Sequence, residues 1–131
     1  MDTKGNYKLK KAFVGFDDEF NMKFMSAKEI LALDKNQDDD MVIIGMMFAR
    51  MTAEITDNEL IFRLNPKCDH IAELLAKANG MIPNDGEFCT IKYTIKKNGK
   101  EYNIVSEDGE EGEITFKGNT FEFNYSTFEK I

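Results

Sequence analysis

The segment TIKYTIKKNGKEYNIV, residues 90–105, alternates apolar and polar side chains on both sides of Asn98-Gly99. That dipeptide suits the positive-φ positions of a two-residue hairpin turn. Taking it as the loop sets Ile95 opposite Tyr102 and Tyr93 opposite Ile104 on an inner face, with Lys96 opposite Glu101 and Thr94 opposite Asn103 outside. One strand pair thus separates an apolar face from a wet one, and the same reading extends outward along the chain. Gly118-Asn119 turns a second hairpin that pairs Phe116 with Phe121 and Ile114 with Phe123, leaving Thr115 opposite Glu122 outside. Upstream, Asp57-Asn58 returns a long strand, Met41 to Ile55, as Glu59 to Leu64. There Ile55 faces Leu60, Ala53 faces Phe62, Met51 faces Leu64 and Thr52 faces Arg63, with Glu54 diagonal to Arg63. A first hairpin breaks at Asp17-Asp18, where Phe20, Met22 and Phe24 answer Phe13 and Gly15.

Two segments carry helical signals instead. Ser26 begins a capping box with Glu29, which predicts a short helix over 26–33. Pro66 suits a first helical turn, and Ile71, Leu74, Leu75 and Ala78 keep helical spacing until Gly80, which predicts a second helix over 66–79. Eight strands in four hairpins with an apolar inner face need that face covered, and closing the sheet on itself also removes exposed edges. The predicted fold is therefore mainly β, an eight-stranded antiparallel up-and-down β-barrel with two short helices. The alternative is an α+β arrangement, an open curved antiparallel sheet with both helices in its concavity. No internal repeat or flexible linker divides the 131 residues, so a single domain over 7–131 follows a flexible tail, 1–6.

Seventeen basic against twenty-four acidic residues give a net charge of −7, which disfavours a phosphate backbone and excludes nucleic acid as a natural partner. The apolar run Met41 to Ala49 is far shorter than the about 20 residues of a membrane span and reads as a buried strand. Met1 to Lys11 has no apolar leader, which points to the cytoplasm. Two cysteines, Cys68 and Cys89, are too few for a disulfide framework and are expected as free thiols.

Chemistry is sparsely encoded. Cys68, near Lys67 and His70, is the best candidate nucleophile, but it lies in phase with the apolar stripe of the second helix and reads as a buried hydrophobe. His70 points off that stripe. Asp34, Asn36 and Asp38 imitate the opening of a calcium loop, yet Asp39 replaces its glycine and Gly45 its bidentate glutamate. Arg50 and Arg63 fall on the outward parity, where Glu54 pairs with Arg63. Lys11 is the sole charged residue assigned to the interior. No phosphate-binding loop, dinucleotide fingerprint or nucleophile elbow occurs, so no catalytic residue, metal ligand or cofactor is assigned.

The interior of an eight-stranded barrel either fills with its own side chains or holds one small ligand. The residues expected to line it for a ligand are Phe24, Met47, Met51, Phe62, Tyr93, Tyr102, Phe116, Phe123 and Tyr125. The three tyrosines bring hydroxyls that a ligand oxygen could satisfy, and the eight methionines supply adaptable apolar surface. These residues predict a non-catalytic binding protein for a small hydrophobic or amphipathic ligand. The alternative is a filled barrel with no ligand that acts as a protein-interaction module, through its acidic loops or through Val42, Ile44, Met46 and Phe48.

Length, hairpin succession and the Ser26-to-Leu31 helix followed by the apolar strand Met41 to Met51 together resemble the small bacterial lipocalin-like members of the calycin superfamily. That resemblance implies a barrel and carriage of small apolar molecules. With no tryptophan there is no lipocalin Gly-x-Trp, and Phe123-Asn124-Tyr125 stands in place of the late Arg-x-Tyr of fatty-acid-binding proteins, so no family binding residue carries over.

Overall fold

Strand β1, Gly5–Phe16, is twelve residues long and serves as the seam of the molecule. Its first half pairs with β3, Met51–Ile55, and its second half pairs on the same edge with β2, Met22–Ser26. On its other edge, Tyr7 to Lys11 meet β9, Ser126–Lys130. The computed structural model describes residues 3–34, 36–65, 67, 73, 74, 76, 90–99 and 101–131. Among these, the remaining strands are β4 (Glu59–Leu64), β5 (Thr90–Asn98), β6 (Glu101–Ser106), β7 (Glu111–Lys117) and β8 (Thr120–Phe123), and the helices are α1 (Ala27–Leu31) and α2 (Asp40–Ala49).

The strands form one antiparallel sheet in the order β2-β1-β3-β4-β5-β6-β7-β8-β9, which the β1–β9 pairing closes. The ring is an eight-stranded barrel, as expected, but its membership differs from the expectation. β2 lies outside the ring as a flap on the seam, and β9, which the hairpin pattern did not reveal, completes it. Strand pairing begins at Gly5, opposite Ile55, two residues before the expected start of the domain.

The β3–β4 and β7–β8 registers follow the expectation pair by pair, from Ile55 opposite Leu60 to Met51 opposite Leu64, and with Phe116 opposite Phe121. The β5–β6 hairpin differs. Asn98 pairs with Glu101 and Ile95 with Ile104, so Gly99, at φ +66°, opens the turn and every pair moves by two residues. A slip of two keeps each side chain on its face, which is why the inner set survives the correction.

The segment Met41 to Ala49 is a helix, not the expected buried strand. Asp39 caps it, accepting from the backbone N–H groups of Met41 (2.9 Å) and Val42 (3.4 Å), which satisfies donors that a helix start leaves orphaned. Its buried side, Ile43, Gly45, Met46 and Met47, packs toward β1 and α1, and its other apolar residues are half-buried. A Cβ at Gly45 would meet Ala12 and Ile30 at 3.5 Å, the mark of close packing against β1 and α1. Helix α1 has the predicted capping box, in which Ser26 Oγ accepts from the Glu29 N–H and the Glu29 carboxylate accepts from the Ser26 N–H, both at 3.1 Å. The Ser26 backbone N–H, and after it the Ser26 hydroxyl, hold the Glu29 carboxyl below its usual range. Of the expected helix over 66–79, Glu73, Leu74 and Ala76 are helical and Leu74 is buried. Its other signals, with Cys68, Cys89 and His70, lie outside the described residues.

Candidate functional site

Inside the barrel the aromatic side chains form one continuous column. Phe48 projects from α2 to within 4.9 Å of the Phe62 ring, and Phe62 in turn lies 5.3 Å from both Phe123 and Phe128. Phe128 stacks on Phe121 at 4.9 Å, Phe121 meets Tyr7 edge-on at 4.9 Å and Phe116 at 6.2 Å, and Phe116 reaches Tyr102 at 5.3 Å. Each such pair adds about 0.5–1.5 kcal/mol beyond burial. Helix α2 brings Met46 and Met47, both fully buried, to the same core.

Of the nine expected lining residues, the structure brings Met47, Met51, Phe62 and Phe123 into the buried core, with Tyr93, Tyr102 and Phe116 half-buried against it. Tyr93 lies 5.2 Å from Phe123, and its burial, with the carboxylates of Glu110 and Asp108, pushes the phenol above its usual range. Phe24 and Tyr125 are exceptions. Both stand on the outer surface, as do Phe20 and Met22, and Phe13 is only half-buried on that face.

Tyr125 falls in the β8–β9 turn, between the paired Phe123 and Ser126, and Phe24 follows its partner Phe13 outward through a parity change in β1. Tyr7 and Leu9 face inward, then the register against β9 shifts between Leu9 and Lys11, after which Ala12 and Val14 face inward. The bulge turns Lys11 and Phe13 outward. Lys11, expected inside, is exposed with its Nζ 4.8 Å from the centre of the Phe24 ring, a cation–π contact. Phe13 lies 5.3 Å from Phe16, 5.5 Å from Tyr125 and 6.0 Å from Phe24. The corner is thus an aromatic cluster on the outside of the barrel.

The rings around Phe13 and the apolar side chains of the adjoining β1–β2 hairpin are open to solvent, at 85% for Phe20, 68% for Tyr125, 59% for Phe16, 42% for Phe24 and 39% for Met22. Two of them sit on turns with a left-handed backbone, Phe20 at φ +64° and Tyr125 at φ +67°. That conformation costs about 1–2 kcal/mol for a residue with a Cβ. Asp17 shapes the first turn by accepting from the N–H groups of Glu19 (2.8 Å) and Asn21 (2.9 Å). The backbone bonds to Asn21 and Glu19 hold its carboxyl below the usual range. On the second turn, Ser126 Oγ accepts from the Phe13 N–H at 3.0 Å, tying it to β1.

The other candidates resolve simply. Arg63 pairs with Glu54 at 2.8 Å on the surface, as expected. Arg50 does not lie on an outward strand. It ends α2, is buried, and donates from its guanidinium to the Met46 carbonyl at 3.1 Å. Met46 is buried and Phe48 enters the core, so they do not form the outer apolar surface expected with Val42 and Ile44. Asp34 accepts from the Asn36 N–H at 2.7 Å, and Asp39 is a helix cap. Among the described residues, no three His, Cys, Asp or Glu side chains converge as they would around a metal ion, and no helix is long and apolar enough to cross a membrane.

These features define a closed antiparallel β-barrel with an aromatic core and an exposed aromatic corner. No protein-family model, curated protein or solved structure matches the chain.

Proposed function

We propose that the protein is a non-catalytic interaction module, a filled barrel that presents the Phe13 corner to a protein partner. The observation that supports this reading most directly is the placement of Phe20 and Tyr125, exposed aromatic rings on strained left-handed turns, with Tyr125 against the Phe13 ring that also meets Phe16 and Phe24. Large apolar side chains clustered on a surface mark contact sites, and strain of this kind gathers where function requires it. The interior column, whose rings touch from Phe48 to Tyr102, supplies stiffness to that surface. A photo-crosslinker in place of Phe20 is expected to capture a protein in cells, whereas the same group in place of the exposed Lys92 on β5 captures none. Equal labelling at the two positions, or none at either, defeats the reading.

A second reading, carriage of a small hydrophobic or amphipathic molecule, is favoured by one feature. Tyr93, Tyr102 and Phe116 are half-buried, so their rings border the core while reaching solvent, as a ligand mouth with polar tips would. An apolar ligand admitted there raises the melting temperature and quenches tyrosine fluorescence. A fatty-acid series that moves neither quantity removes this reading.

A further inference from the structure

The outer face beside the aromatic corner carries opposite charges in one row. Thr127 of β9 pairs with Lys11 of β1 on one side and with Glu122 of β8 on the other. Strand spacing places the backbones of Lys11 and Glu122 about 10 Å apart, with their side chains on the same outer face. On the β1–β2 side, Lys11 lies over the Phe24 ring, so this flank is a ridge both apolar and cationic. On the β7–β8 side, Glu113, Thr115, Glu122, Asn124 and Tyr125 line a shallow groove of about 380 Å³. This flank is an anionic trough with an aromatic end.

We propose that the partner of this face is a second copy of the chain, docked so that the Lys11–Phe24 ridge of each copy enters the Glu113–Glu122 groove of the other. The inference rests on the reading of the aromatic corner as a contact surface. A twofold axis along β9, through Thr127, exchanges left and right across the row. It therefore sets Lys11 of each copy against Glu122 of the other and carries Phe24, one strand further out, over β7 of the opposite copy. A face with ridge and groove on opposite sides of such an axis is complementary to itself, which an isologous dimer requires. Placing unlike charges together also disfavours slipped arrangements. An anionic membrane surface fits less well, because Asp17, Asp18 and Glu19 flank Phe20 at the tip of the corner.

The test is a charge exchange read by sedimentation equilibrium on the full chain. The wild type is expected to dimerise, and the dimer to weaken as salt is raised. Lys11→Glu sets carboxylate against carboxylate twice in a homodimer, and Glu122→Lys sets ammonium against ammonium twice, so each variant alone should raise the dissociation constant about tenfold or more. An equimolar mixture restores both attractive contacts and should recover dimers of wild-type strength. Both side chains are exposed, and unchanged circular dichroism confirms that the variants are folded. A dimer indifferent to either exchange, or a mixture that stays dissociated, overturns the arrangement. A wild type that remains monomeric up to about 1 mM while still cross-linking through position 20 to another protein overturns the second copy and leaves the contact surface standing. A monomer that cross-links to nothing overturns both.

Discussion

Two aromatic groups of similar internal geometry occupy this barrel, one around Phe62 and one around Phe13. Their ring centroids lie 4.9–6.4 Å apart in the first and 5.3–6.0 Å apart in the second. What separates them is burial and backbone. The Phe62 rings project from regular strands and from α2 into the barrel core, whereas the Phe13 ring follows a bulge onto the outer face and Phe20 and Tyr125 stand on left-handed turns in solvent. Ring contacts alone contribute comparably in both places, so the difference in stabilisation comes from apolar area removed from water, at about 25 cal/mol per Å². The interior group holds the fold, and the corner group costs backbone strain without comparable burial.

The sharpest way to break this contrast is by truncation. Phe62→Ala should lower the unfolding free energy by about 3–5 kcal/mol in urea titrations, because a ring touching Phe48, Tyr93, Phe123 and Phe128 leaves a cavity. Phe20→Gly should act in the opposite direction. Relief of its positive φ is expected to stabilise the protein by about 1 kcal/mol while weakening any contact made through the corner. Phe16→Ser should change stability by no more than about 0.5 kcal/mol, since its ring is mostly in water. If Phe62→Ala and Phe16→Ser had equal effects, the distinction between core and corner would fail.

A smaller effect sharpens the comparison at the edge of the core. Burial favours the neutral phenol of Tyr93, and the Glu110 and Asp108 carboxylates add to it, so this group ionises above the usual value of about 10. Below pH 10 the folded and unfolded phenols are both neutral, and no stability difference arises. Above pH 10 the unfolded chain loses the proton first, so stability declines as pH rises toward the folded value. Tyr93→Phe should flatten that alkaline limb in a series of pH-dependent melts, and phenolate absorbance should show one tyrosine fewer titrating late.

The barrel was legible in the chain because its hairpins declare themselves. Ile55 opposite Leu60 and Phe116 opposite Phe121 follow from turn position and alternation alone. The misreadings have separate physical causes. In Met41 to Ala49 a continuous apolar run carries no period, so a helix without a polar face looks like a buried strand. Asp39, just before that run, was the available signal, being a good N-cap residue. The parity of β1 was lost at Lys10-Lys11, where two adjacent lysines announce the bulge that sends Phe13 outward. Nothing in the local pattern marks Phe20 and Tyr125 as exposed, since bulky aromatic residues rarely take a left-handed backbone. The corner, and with it most of the candidate site, became apparent only in three dimensions, whereas Met51, Phe62 and Phe123 enter the core from strands that the alternation marks, and Met47 reaches it from a helix instead of the expected strand.

Native mass spectrometry of the chain purified from cells separates a barrel occupied by the protein's own rings, with its working surface outside, from one that carries a ligand. The masses of the bare polypeptide and of its protein complexes are expected, unchanged by solvent extraction. A stoichiometric apolar molecule that travels with the protein and is released by that extraction would contradict the filled barrel.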